Sequence, residues 1–361
     1  MHLPPREQVM MVIHIYLQDF NAVLPLFQAS TLLQMVRACY DLGPLQRDPV
    51  AWAAIYVVLG LARRHRLVIS QDIPSTAMCL SRAESVLSSV VLGEVQLLNI
   101  QVLVGLVMLL QASQDLKPAL VLIGTTLRLA HSIGLHDRAY SEYLDYAHAK
   151  QHACVFWLAY VLDKNLSMRT RQPAVQIDDD IGLELPSQTV RRCSKDLNET
   201  DDDTDANGVI ATTDGAVSMD YLTARIHLAT IEGGVYDYIH STRSRKRSPE
   251  ERSHAVQSLA SALEKWKISI PHEFSAAASS GGVPPSTLRF LGVMHAASLA
   301  CATQINQAWA WDSDWMTSVR MYGRQGIELI LPPAWETLVG DARDLLVLHE
   351  GIGDIGTANF W

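Results

Sequence analysis

From Val102 to Leu110 the chain runs nine residues without a charge or a polar side chain, bounded by Gln101 and Gln111. A helix that is apolar on every side has no face to turn to water, so other elements must enclose it. Crossing a bilayer takes about 20 apolar residues. This run falls well short and predicts a buried core helix. Enclosing it takes several further helices, and the rest of the sequence supplies them.

Residues 6–19 form a short amphipathic segment broken by Pro25, and Thr31 to Tyr40 begins another. Trp52 to Leu67 reads as a helix ending in Arg63, Arg64, His65 and Arg66, expected to be a solvated end favoured by the helix dipole. Residues 115–134 carry the clearest boundary signals: Asp115 as cap, Pro118 in the first turn, and Gly134 for the left-handed C-terminal position. Between them Leu116, Leu120, Ile123, Leu127 and Ala130 recur as a core stripe. A longer helix is expected over Asp145 to Met168. Its stripe of Ala149, Ala153, Phe156 and Tyr160 is widened by Val155, Leu158 and Leu162, and Gln172-Pro173 ends the first half of the array.

Residues 191–217 change character. Asp196, Glu199, Asp201, Asp202, Asp203 and Asp205 repel one another, and only Leu197 among them is bulky and apolar. That composition predicts a flexible acidic loop. Helical pattern returns over Val217–Ser244, from a Ser248 cap and Pro249 to Ile268, over Ser286–Trp311 and over Pro333–His349, with a second loop at Ala276–Pro285. No strand pair and no fixed-period repeat is evident. The expected fold class is all-α, a stacked array of helical hairpins whose halves, 1–190 and 218–361, flank the acidic loop 191–217.

Hydrophobic residues make up 48% of the 361 positions and charged ones 19%, enough apolar side chain for a large core. The formal charge is −9, which opposes approach to phosphates, so the chain is not expected to grip DNA by itself. Cys39, Cys79, Cys154, Cys193 and Cys301 are scattered and include no C-x-x-C pair, which argues against disulfides and zinc. Residues 1–9 are polar with two prolines, so no signal peptide is expected and the location is cytosol or nucleus.

Several short motifs have ordinary explanations. Gly351, Gly353 and Gly356 spell G-x-G-x-x-G, but the pattern follows a helix, where a phosphate-cradling loop needs a strand before it. His148 and His152 stand four apart on one helix face with Ala149 where a metalloprotease needs Glu, and read as surface histidines. His136-Asp137 reads as a helix end followed by a cap, and Asp178, Asp179 and Asp180 as an exposed turn after Pro173. Arg243, Arg245, Lys246 and Arg247 read as a solvated interhelix turn, with nuclear localisation as the functional alternative. There is no nucleophile elbow, P-loop or Cys/His pair. No residue is therefore assigned a catalytic, cofactor, metal or DNA-binding role, and no cofactor is expected.

Five segments, in order, resemble the middle regulatory domain of fungal zinc-cluster (Zn2Cys6) transcription factors. They are Ile15–Val36 with its Pro-Leu-Phe turn, Leu127–Arg138 ending in Gly-Leu-His-Asp-Arg, and Val155–Pro186 with Phe-Trp, Tyr and Leu-Asp. Ala224–Ser244 and Leu263–Pro271 follow. The departures are Lys150 to Cys154 where the family has an arginine run, and Arg171 where it has a glycine. The six-cysteine cluster that normally precedes the domain is not in the sequence.

The resemblance implies a fungal transcription regulator of a metabolic or secondary-metabolite gene cluster, acting in the nucleus. It would work through protein partners or ligand sensing, and would meet DNA only through a partner protein. A small-molecule effector fits this reading; a membrane does not. The alternative is a stand-alone biosynthetic enzyme or small-molecule binder that reuses the helical fold, because fold does not fix function.

Overall fold

A computed structural model describes residues 1–68, 73–186, 208–278, 282–308, 313–326 and 334–352. The first half holds α1 (Arg6–Tyr16), which runs on into a π-turn at Leu17–Asn21, then α2 (Ala29–Asp41), α3 (Pro49–Arg64), α4 (Thr76–Glu84), α5 (Leu87–Leu92), α6 (Leu97–Leu110), α7 (Lys117–Ser132) and α8 (Tyr146–Thr170). A short hairpin, β1 (Val209–Ala211) and β2 (Ser218–Asp220), leads into α9 (Tyr221–Val235) and a second π-turn at Tyr236–His240. Next come α10 (Pro249–Ser269), α11 (Pro285–Gln307), α12 (Ser313–Gln325) and α13 (Trp335–Ile352). The all-α expectation is met.

The uncharged run lies at the centre. Every residue of α6 from Asn99 to Leu110 is buried, enclosed by α3, α7 and α8. α3 is buried from Ala51 to Ala62. Its contact with α6 is close because two glycines face it. A Cβ on Gly105 would meet Val57 Cγ1 at 2.2 Å, and one on Gly60 would meet Leu109 Cδ1 at 3.0 Å.

The polar residues flanking and following the run serve backbone that the core would otherwise leave unpaired. Gln101 Nε2 donates to Leu26 O at 2.7 Å, and Gln151 Nε2 donates to Pro25 O and Leu26 O at 3.0 Å each. Asn21 clamps the same turn from its other side, donating to Phe27 O at 2.8 Å and accepting from Phe27 N at 2.9 Å. The Pro-Leu-Phe turn is thus held by three amide side chains drawn from separate stretches of chain.

Boundary chemistry follows the sequence closely. Asp145 accepts from His148 N to start α8, and Ser248 and Glu251 form a reciprocal capping box at α10. At α7 the N-cap is Leu116 and not Asp115, though Lys117 N still donates to Asp115 Oδ1 at 3.0 Å; Gly134 is left-handed at φ 73° just beyond the helix, as expected.

Three features depart from expectation. The end of the presumed loop, residues 208–217, together with the next three residues, contains the antiparallel hairpin, with Val209 opposite Asp220 and Ala211 opposite Ser218. Its tip is set by Asp214, which accepts from Thr212 Oγ1 and Ala216 N, and by Gly215 at φ 70°. Strands of three residues show no readable alternation, which is why none was expected. The acidic residues 191–207 and Cys193 lie outside the described residues. The helices α4, α5 and α12 were also not anticipated.

The third departure is the end of α3. His65 is buried, not solvated. Its ring meets Phe20 edge-on at 4.7 Å and stacks on Phe290 at 5.5 Å, so a polar residue of the first half closes a contact with α11. Burial, with the charges of Arg64 and Arg289, pushes its pKa down to about 3. Arg64, also presumed solvated, donates to Leu109 O, and burial lowers its pKa to about 10.

A histidine with a depressed folded pKa contributes stability above its unfolded pKa near 6.5 and loses it as pH falls. The single-site linkage amounts to about 2 kcal/mol between pH 7 and pH 5. His65→Phe should therefore flatten the pH dependence of the unfolding free energy, measured by urea titration, by about that much over this range. Equal slopes in the two proteins would show that His65 is not neutral in the fold.

Candidate functional site

The interior of α8 carries a polar seam. Asp163, Lys164, Asn165 and Ser167 are all buried within a stretch that is otherwise apolar. Buried charges persist only when paired and hydrogen-bonded, and Asp163 and Lys164 both find partners. Asp163 accepts from Val175 N and Gln176 N, both at 2.9 Å. Burial raises its pKa and the two backbone donors oppose the rise. Lys164 Nζ donates to Gln176 O at 2.7 Å and pairs with Asp178 at 2.7 Å. Tyr160 Oη donates to Asp178 Oδ1 at 3.1 Å and lies 3.2 Å from Thr230 Oγ1 on α9.

These contacts strap residues 173–186 across α8. Trp157 Nε1 donates to Glu184 O at 3.1 Å, and the side chains of His131 on α7 and Gln176 meet at 2.6 Å. Of the three aspartates, only Asp178 joins the seam; all three are exposed in a 3-10 turn. Asp137 accepts from Ala139 N at 3.0 Å as a cap, and the His136 ring stacks on His131 at 4.1 Å.

Deeper, α8 meets a buried ion pair that α9 carries by itself. Asn165 Nδ2 donates to Glu232 Oε1 at 2.8 Å, and Arg225 Nη1 stands 3.8 Å from the same oxygen. Gly233 makes the approach close, since a Cβ there would lie 2.9 Å from Lys164 Cδ. Burial raises the Glu232 pKa, against the opposing pull of Arg225, the Asn165 hydrogen bond and Arg169. Asn165 Oδ1, Arg225 Nη1 and Glu232 Oε2 are buried without a hydrogen-bond partner. The seam is therefore held at a net cost in desolvation.

The remaining reactive groups are subdued. Burial pushes the Cys79 and Cys154 thiols up to about 12 and raises Cys39 and Cys301 as well, whereas a nucleophilic cysteine needs a lowered pKa. Among the described residues no group of three or more His, Cys, Asp or Glu side chains stands ready to hold a metal ion. His148 pairs with its own cap, Asp145, at 2.7 Å, and His152 is half-buried. Of the glycine motif, Gly353 and Gly356 lie outside the described residues. No described helix is long and apolar enough to cross a membrane.

Sequence reasoning missed the seam. Its signal was present in Leu162-Asp163-Lys164-Asn165-Leu166, a charge run inside a helix that has no polar face. The partners Asp178, Arg225 and Glu232 are remote in sequence and carry no comparable mark.

Residues 13–268 match the profile of the family described as the fungal specific transcription factor domain. The chain is 31% identical over 329 residues to the ABC-transporter-regulating transcription factor of Aspergillus fumigatus, covering 90% of this chain and 35% of that protein. The protein of the same description from Aspergillus oryzae is 30% identical over 329 residues with the same coverage. The Fusaridione A cluster transcription factor fsdR of Fusarium heterosporum is 26% identical over 252 residues, 69% of this chain and 45% of that protein. The chain thus spans about a third of the length of the two Aspergillus relatives. No solved structure gives a significant match.

Proposed function

The chain belongs to the family of fungal-specific transcription factor domains, and on that premise we propose that it is the regulatory domain of a fungal transcription regulator working in the nucleus. The carrying observation is the alignment along 90% of the chain with a transcription factor that regulates an ABC transporter. The target genes are accordingly proposed to include membrane export, with metabolite-cluster genes suggested by the likeness to fsdR. The domain acts by protein contacts and by sensing a small molecule. Base recognition is supplied from outside it, in keeping with a formal charge of −9.

Deleting the gene tests this reading. A defined set of transcripts, transporter genes among them, should change several-fold and recover on complementation. Unchanged transcripts, together with accumulation of one metabolite that the purified chain converts, would replace the regulator with an enzyme.

A further inference from the structure

The end of α8, the π-turn after α9, the start of α10 and the end of α11 enclose a cleft of about 450 Å³. Its lining includes Arg171, Arg245, Arg252, His240, Gln304 and Gln307, and among the described residues no carboxylate. In a chain with an acidic excess this is an unusual concentration of one sign of charge. Among the described residues no Asp or Glu lies within ion-pair distance of the three arginines. Arg252 Nε is buried without a hydrogen-bond partner.

His240 and Gln304 face each other through His240 Nε2 and Gln304 Oε1. With its oxygen engaged, the Gln304 amide keeps its N–H donors for a further acceptor. The His240 pKa is lowered first by burial and then by the charges of Arg171 and Arg245, the Gln304 bond opposing.

Arg171 sits at φ 56°, in the left-handed region where glycine is unstrained and an L side chain is penalised. It closes α8 as its C-cap, its N–H donating to Ser167 O.

We propose that this cleft binds a small polyanion carrying two or more carboxylate or phosphate groups. Guanidinium forks match both groups in bidentate geometry. The volume falls in the range of small-molecule sites, roughly 300–1,000 Å³. The inference names the ligand class for the proposed regulator and rests on that reading only for the meaning of binding. The binding measurement stands or falls without reference to transcripts.

Citrate and inorganic pyrophosphate, titrated calorimetrically into the purified full chain at physiological salt, separate the carboxylate from the phosphate source. One of them should bind at one per chain. Arg252→Gln should weaken that binding about tenfold or more, the loss of one charge-assisted hydrogen bond. Arg171→Gly should weaken it similarly while raising the melting temperature, a pairing that a merely structural arginine would not produce. Lys265→Gln, on the exposed side of α10, should change neither. Absence of binding by both probes, or equal binding by the arginine variants and the parent, would overturn the proposal. So would arginine-dependent binding of duplex DNA alone.

Discussion

Arg225→Leu is expected to destabilise the chain by about 3–5 kcal/mol, because it leaves Glu232 buried without its counter-charge. The substitution removes the largest influence opposing the effect of burial on that carboxyl, so the Glu232 pKa rises further. A carboxyl whose folded pKa lies above its unfolded value stabilises fully below the unfolded pKa and loses that contribution as pH rises through the folded one. The deficit of the variant should accordingly grow between pH 5 and pH 8. Arg225→Leu combined with Glu232→Leu should recover most of the loss, since two apolar side chains avoid the desolvation of both charges. Urea titrations of the three proteins measure each quantity. A double variant no more stable than Arg225→Leu alone would mean that the ion pair is not what the seam depends on.

Gly105→Val should cost about 3 kcal/mol, near the upper end for overpacking a close-packed core. The first added carbon would stand 2.2 Å from Val57 Cγ1, and Leu26 Cδ2 is already 3.4 Å away. Val57 is β-branched on an enclosed helix and has no free rotamer into which to retreat. Relief requires α3 and α6 to separate, which also loosens the Leu26 carbonyl that Gln101 holds. Pairing Gly105→Val with Val57→Ala should restore much of the stability. If the single variant unfolds at the same urea concentration as the parent, the two helices are not in the contact described here.

Both cases show what a sequence does and does not disclose. The enclosure of Val102–Leu110, the caps at Asp145 and Ser248 and the left-handed Gly134 were legible because each depends on residues within a turn or two. The hairpin beside the acidic segment was not, since three residues per strand leave no period to read. His65 was misjudged because its surroundings, Phe20 and Phe290, come from elements distant in the chain. The same holds for the seam: Lys164 and Asp178, or Asn165 and Glu232, become partners only when α8, α9 and the strap are packed together. The resemblance to the family carried further than periodicity did, because it draws on the order of segments along the whole chain.

One apolar core joins Leu3 near the start of the sequence to Leu348 near its end, with α8 and α9 back to back in its middle. Inheritance is constrained by that continuity. A crossover or frameshift between α8 and α9 would hand each descendant gene half a core with a raw hydrophobic face, a product that aggregation and proteolysis remove. A break within the helical array is therefore expected to cost both pieces their fold, and the array to be inherited as one module.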